Sequence, residues 1–521
     1  MKARIFDAAR TWDLVIVGGG ATGVGIAVDA ASRGYDVALV EQSDFGKGTS
    51  SRSTKLVHGG VRYLQQGNIS LVMEALRERG VLRYNAPHLV HDLAFVVPNY
   101  DWWEAPFYGV GMKVYDMLAG KYGFGRSRNL SSEETRERIP GLEDEGLRGG
   151  VLYYDGQFDD ARLLVNLAQT AVEQGASLLT RGKCVGVLKD EDGYTTGIRV
   201  EDVLGGDTAE VKAKCVINAT GCFSDEVRRL DDPEAENMIA PSQGIHLVLD
   251  AKFLSGDSAI MVPRTSDGRV LFAIPWHGVT LVGTTDTPIE APSLEPRPLE
   301  EEIEFILSTA AEYLEHDPTR DDVLSVFTGI RPLVQMKGSS NTASLSRDHT
   351  IHISKSGLLT IAGGKWTTYR KMAESCVSHA VTLAQLDERP CVTERLNIHG
   401  HHQHSARFGA LAVYGSDAME IEELAKKRPE LAERLHPDLD LVAAQVVWAV
   451  REEMALSVED VLSRRTRCLL LNAKASVECA PKVAKLMAAE LGKDEAWVSA
   501  EVEAFESLAE AYVLPPAPTA A

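Results

Sequence analysis

Three glycines near the start of the chain carry the clearest chemistry. Gly18, Gly20 and Gly23 stand in the spacing Gly-x-Gly-x-x-Gly within GGGATGVG. Each has its own physical task. Gly18 permits a tight turn, Gly20 lets the backbone approach a pyrophosphate, and Gly23 lets a helix pack closely on a strand. The helix that follows would offer free N–H groups and the positive end of its dipole to phosphates. Glu41, roughly 20 residues beyond the first glycine, is placed to accept hydrogen bonds from an adenosine ribose.

The elements needed to position those residues are legible around them. Residues 13–17, DLVIV, form a short apolar run suited to a buried parallel strand. Val24, Ala27, Val28 and Ala31 recur at helical spacing, and Gly34 suits the end of that helix. A second strand, DVALVE, ends at Glu41. Strand, glycine turn, helix and acid-terminated strand together predict dinucleotide binding. A long, buried flavin dinucleotide would need further contacts from remote segments, and three are present. GTSSRSTKLVHGG at 48–60 is rich in hydroxyls and glycine, CVINATGCFSD at 215–225 is an apolar strand entering Thr220-Gly221, and LLTIAGGKWTTYRKMAE at 358–374 is a strand, a Gly-Gly loop and a helix.

The set SSRSTKLVHGGVRYL (50–64), DDARLLVNLAQTA (159–171), IPWHGVTLVGTTDTP (274–288), TGIRPL (328–333), SRDHTI (346–351) and GGKWTTYRK (363–371) resembles the FAD-dependent, quinone-linked glycerol-3-phosphate dehydrogenase family. The resemblance spans residues 12 to about 512. It implies an α/β fold in which a Rossmann-like FAD-binding domain of the D-amino-acid-oxidase type is interleaved with a mixed-sheet substrate domain, followed by an α-helical C-terminal domain. The expected boundaries are 11–98, 150–240 and 345–390 for the FAD domain, 99–149 and 241–344 for the substrate or cap domain, and 395–515 for the helices. The implied reaction is oxidation of sn-glycerol 3-phosphate to dihydroxyacetone phosphate, with hydride transfer from C2 to N5 of non-covalent FAD. Electrons would pass to membrane quinone at the cytoplasmic membrane surface, and a homodimer is plausible. An O2-using glycerol-3-phosphate oxidase, or another oxidase of the same fold, is the alternative. The stretch from Ile274 to Arg331 has no obvious extra block, which favours the dehydrogenase.

Expected cofactor contacts follow from these motifs. They are Gly18, Gly20, Gly23, Glu41 and Gln42 around the first turn, and Thr49, Ser50, Ser51, Ser53, Thr54, Lys55, Leu56, His58 and Gly59 in the hydroxyl-rich segment. Cys184 and Val185, Ala219, Thr220 and Gly221, and then Gly364, Lys365, Thr367 and Thr368 complete the set. The chemistry also demands a clamp for a phosphate dianion. Arginine's planar fork matches phosphate oxygens bidentately, and Arg62, Arg331 and Arg347 fall inside the shared motifs, with Tyr63 beside the first. His58, in LVHGG, is the preferred base for the C2 hydroxyl, with Arg331 and Lys365 polarising its oxygen; His246 and Lys365 are the alternative bases. The helix opening after Gly364 could aim its dipole at the negative charge of a reduced flavin.

Composition narrows the rest. The chain has 521 residues, and its net charge of −21 speaks against a nucleic-acid protein with a broad basic surface. Seven cysteines without a CxxC pair read as reduced thiols. No segment has the roughly 18 consecutive apolar residues of a spanning helix, and the N-terminus lacks the apolar core of a signal peptide. Residues 101–126 are dense in aromatics and methionine, with Lys113, Lys121 and Arg126 among them. That suits either a cap over the substrate domain or a contact with a membrane interface. His399, His401, His402 and His404 lack the carboxylate or cysteine pattern of a metal site, and none is expected. Glu300, Glu301, Glu302 and Glu304 read as a solvated first helical turn, and PPAPTAA at the end as a disordered tail.

Overall fold

The computed structural model describes residues 1–60, 64, 67–101, 104–263, 265, 268–335 and 349–514. Two sheets organise the molecule. The first runs in spatial order through His349–Ile353, Leu359–Gly363, Thr208–Asn218, Thr11–Val17, Val37–Val40 and Ser177–Leu179. A hairpin of Gly182–Lys189 and Thr195–Asp202 extends from Thr208–Asn218. Its central strands are parallel and their inner residues are buried, as a sheet covered on both faces requires. The helices Ala21–Ser32, Asp160–Glu173 and Tyr369–Leu383 share one core with this sheet.

The glycine turn has the geometry its sequence predicts. Gly18 sits at φ +110°, and a Cβ there would lie 2.6 Å from the Ala219 carbonyl oxygen. At Gly23 a Cβ would lie 1.9 Å from the Gly18 carbonyl oxygen, so only glycine lets the helix start so close to the strand. Gly34 follows the helix at φ +83°.

The second sheet is mixed. Its order is Thr287–Pro288, Ile239–Asp250, Val279–Gly283, Leu271–Trp276, Ser258–Val262, Val90–Asn99, Gly149–Phe158 and Leu56–Val57. Val323–Val334 pairs along Ile239–Asp250, and Arg128–Leu130 along Gly149–Phe158. Ser258–Val262 is parallel to Val90–Asn99, while the other pairings are antiparallel. The expected FAD domain includes 56–57, 90–98 and 150–158, with 99–149 in the cap domain; strands Leu56–Val57, Val90–Asn99 and Gly149–Phe158 all hydrogen-bond within the second sheet. Apolar runs such as LAFVV suit either sheet, and only pairing partners far along the chain decide between them.

The C-terminal region is helical, as expected. Ala418–Lys427, Ala443–Glu452, Ala473–Leu491 and Glu495–Ala509 form one core that continues onto the second sheet. Helix Glu300–Ala311 begins with the acidic run, but Glu302 is not solvated. Its carboxylate is buried and accepts from Gln243, Thr285 and Thr287, bracing neighbouring strand ends. Among the described residues no helix is long and apolar enough to cross a membrane. The tail 515–521 lies outside the described residues, as do Trp102 and Trp103 of the aromatic segment.

Candidate active site

Two cavities meet between the sheets. The first, about 490 Å³, starts at the glycine turn. Gly18, Gly20, Glu41, Gln42, Thr49 and Ser50 line one end, and Cys184, Val185, Ala219, Thr220 and Gly221 line its walls. Because a helix leaves its first N–H groups without intrahelical partners, the start of Ala21–Ser32 presents donors to this space. Ser50 Oγ accepts from Ala21 N–H at 3.0 Å and so ties the hydroxyl-rich loop to the helix start. Glu41 accepts from Gly19 N–H at 2.7 Å and Ser43 N–H at 2.8 Å. Burial raises its pKa and outweighs those two backbone bonds. Burial also pushes the Cys184 thiol up to about 11, so that side chain acts as a wall.

The second cavity, about 340 Å³, shares Thr49, Arg52, Ile330, Pro332 and Gly363–Trp366 with the first. Thr54, Leu56, His58, Asp155, His246, Arg331 and Thr367 line it, with Arg269 on the far wall. His246 is buried, stacks on Phe327 at 4.8 Å, and has Nε2 2.9 Å from Thr54 Oγ1. Burial, followed by the charges of Lys55 and Arg331, holds its pKa well below the usual imidazole value. This ring is therefore neutral at ordinary pH. His58 is half-buried, and its backbone N–H donates to Thr367 Oγ1 at 3.2 Å, joining its loop to the Gly-Gly-Lys segment.

Arg331 enters from Val323–Val334 with its fork oriented by neighbours. It donates to Thr284 Oγ1 at 3.1 Å, to the carbonyls of Thr285 and Gln243 at 2.9 and 3.2 Å, and to Asp286 at 3.2 Å. Lys365 lines both cavities and immediately precedes the turn Trp366–Thr368. Trp366 anchors that turn by donating from Nε1 to the Ser50 carbonyl at 2.8 Å.

Some expected contacts point elsewhere. Lys55 is fully buried and donates to Asp160 at 2.7 Å and to the Ser51 carbonyl at 2.8 Å, so its ammonium lines neither cavity. Ser51, Gly59 and Thr368 also fall outside the lining. The Gly59 N–H donates to Tyr115 at 2.8 Å. Gly23 serves packing and is not part of the lining, while Ser53 borders the second cavity. Arg62, Tyr63 and Arg347 lie outside the described residues. Sequence reading missed Asp286, Thr284 and Arg269. The only signal for the first two was a polar TTD after a strand in the shared motif.

The cavities suit FAD. The bent glycine turn leaves no room for side chains, a helix N-terminus faces the pyrophosphate position, and the joined spaces extend from Glu41 to Lys365. Comparisons with known proteins agree. Residues 13–370 match the FAD dependent oxidoreductase family, and residues 358–498 match the C-terminal domain of alpha-glycerophosphate oxidase. The mitochondrial glycerol-3-phosphate dehydrogenase of Homo sapiens is 42% identical over 518 residues, covering 93% of this chain and 71% of that protein. Its Arabidopsis thaliana counterpart is 38% identical, covering 97% and 87%. The structure of glycerol-3-phosphate dehydrogenase from Bacillus halodurans complexed with FAD superposes with a TM-score of 0.80 at 30% identity, covering 99% of this chain and 98% of that one. L-alpha-glycerophosphate oxidase from Mycoplasma pneumoniae, at 18% identity and a TM-score of 0.56 over 75% of this chain and 99% of that one, shares the fold alone. This chain belongs to the FAD-dependent glycerol-3-phosphate dehydrogenase family.

Proposed function

We propose that the 340 Å³ chamber binds sn-glycerol 3-phosphate and that the enzyme oxidises its C2 hydroxyl to give dihydroxyacetone phosphate. One observation carries this reading: Arg331, Lys365, His58 and His246 converge on a chamber that shares a wall with the cofactor cavity. Bound FAD supplies the two-electron acceptor for the hydride of C2.

The chain's own residues have separate roles in this scheme. Arg331, fixed by Thr284 and Asp286, presents a preset guanidinium to the anionic substrate. Lys365, at the junction of the cavities, stabilises the developing alkoxide with Arg331. His58 takes the hydroxyl proton. His246 is held neutral by burial and nearby cations, which makes it a weaker base and assigns it to orienting the hydroxyl. Arg62, Tyr63 and Arg347 supply the remaining phosphate contacts in this proposal.

The electron acceptor is proposed to be a membrane quinone, reached from the cytoplasmic surface. Helix Glu104–Ala119 both caps and exposes. Tyr108, Met112, Tyr115 and Ala119 pack into the core beside the second sheet, while Phe107, Val110 and Met117 are 54%, 65% and 73% exposed. Ile69 and Met73, on neighbouring helix Ile69–Asn85, are also exposed. Exposed Lys113, Lys121 and Arg126 sit on the same segment, the pairing that favours an anionic lipid surface. Reversing Lys113 and Lys121 to Glu should weaken sedimentation with anionic vesicles; unchanged sedimentation and quinone reduction would remove docking from this face.

Anaerobic titration of the holoenzyme tests the reaction itself. Glycerol 3-phosphate should bleach the visible flavin band, and a short-chain quinone should restore it faster than O2. A band that stays unbleached sinks the substrate assignment. Faster recovery with O2, with peroxide formed, favours the oxidase reading.

A further inference from the structure

We propose that the arginine-rich turn 460–467 of the C-terminal domain is a positioning element for FAD. It holds loop 44–55 in the shape that lines the cofactor cavity, so the helical domain completes the cofactor site without touching it.

The loop is built into the cavity from one side. Gly46, Lys47, Gly48, Thr49 and Ser50 line the 490 Å³ space. Gly46 N–H donates to the Gly19 carbonyl at 3.1 Å, and Ser50 accepts from Ala21 N–H, so the loop leans directly on the dinucleotide turn.

The opposite side of the loop is held by charge. Arg464 and Arg465 both donate to the buried carboxylate of Asp44, Arg464 at 2.5 Å and Arg465 at 2.5 and 2.9 Å. Lys47 pairs with Glu459 at 2.7 Å. Arg467 donates to the Ser51 carbonyl at 2.9 Å and to Asp160 at 3.0 Å. Asp160 in turn accepts from Ser53 Oγ at 2.6 Å and from Lys55 at 2.7 Å. Arg52 completes the set at the loop's far end, donating to Glu295 at 2.7 Å and to the Tyr512 hydroxyl at 3.0 Å. Two points of the loop, Asp44 and Ser51, are thus tied directly to turn 460–467, and a third, Lys47, to Glu459 beside it.

The geometry of that turn is itself unusual. Asp460–Arg465 winds as a π-helix, a rare form concentrated at functional sites. Arg467 then adopts φ +65°, which points its guanidinium back toward the loop. Burial works to neutralise Asp44, and the charges of Arg465 and Arg464 overcome it, leaving its pKa well below the carboxylate range. Buried pairs of this kind lose more when one member is removed than the pair contributes in total, so they fix geometry better than they add stability.

Two measurements test the proposal. The first is the FAD dissociation constant and melting temperature of Arg467→Met, with Arg467→Lys as the conservative control. FAD should bind at least tenfold more weakly in Arg467→Met, about 1.4 kcal/mol, with a smaller stabilisation of the protein by added FAD. Arg467→Lys should recover part of that affinity. A folded Arg467→Met protein that loses equal melting temperature with and without FAD, and binds FAD normally, would show a merely structural role and overturn the proposal. The second is hydrogen exchange on the full-length wild-type chain, which decides even where the variant fails to fold. FAD addition to the apoenzyme should slow exchange in 459–467 together with 44–55; slowing confined to 44–55 would overturn the proposal.

Discussion

Two regions of this molecule gather charged side chains and use them differently. Between loop 44–55 and the arginine turn, each cation meets a carboxylate: Lys55 meets Asp160, Arg465 meets Asp44, and Lys47 meets Glu459. In the 340 Å³ chamber Lys365, Arg331 and His246 line a cavity, Arg331 while also meeting Asp286. Residue type does not separate the two sets. What separates them is whether the group lines space a ligand can enter: Arg331 does so even while it pairs with Asp286, and Lys55 does not. The two lysines show this most plainly: Lys365 lines both cavities, while Lys55, expected at the cofactor, is fully buried with its ammonium against Asp160, 105 positions along the chain.

That contrast can be broken from either side. The largest effect belongs to the chamber. His58→Ala with FAD retained should cost about 10²–10⁴-fold in turnover with little change in melting temperature. His246→Ala should cost less, because a ring held neutral orients the hydroxyl without accepting its proton. Single-turnover flavin reduction measures both. A larger loss at His246 than at His58 would exchange the two roles.

The smallest effect belongs to a paired histidine, and it appears only with pH. His399 sits between Glu173, at 2.6 Å, and Asp417, at 2.8 Å. Burial opposes the charged ring, but Asp417 and then Glu173 raise its pKa to about 9. A folded pKa above the ordinary value of about 6.5 means the stabilisation is full below about pH 6.5 and is lost as pH rises through about 9. Glu173 is half exposed, so solvent screening limits the effect to about 1 kcal/mol. Melting curves should therefore show His399→Gln below wild type at pH 6 and level with it near pH 10. A pH-independent gap would contradict the ion-pair reading, and turnover should be unchanged throughout.

How far the sequence carried the account depends on how local each signal is. The glycine turn was legible because Gly18, Gly23 and the two strands act within 30 residues, and backbone sterics leave few alternatives. Arg331 and Lys365 were legible through the motifs that surround them. The domain boundary near 90–99 was not, because strand pairing with 149–158 and 258–262 is a long-range choice between two apolar sheets. Glu302 was misread for the same reason. In the sequence it belongs to an acidic run, while in the fold it is the one member turned inward to Gln243, Thr285 and Thr287. The TTD motif marked Asp286 as polar but not as the carboxylate that orients Arg331, since the two stand 45 positions apart.

The central claim is that Arg331, which lines the second cavity and not the first, serves substrate chemistry and not the holding of the cofactor. Arg331→Met tests it most directly when FAD content and the anaerobic rate of flavin reduction by glycerol 3-phosphate are measured on the same sample. Full FAD occupancy with reduction slowed about 10²–10³-fold is the expected result. Loss of FAD in step with loss of reduction, or a normal rate at normal substrate concentration, would contradict the account.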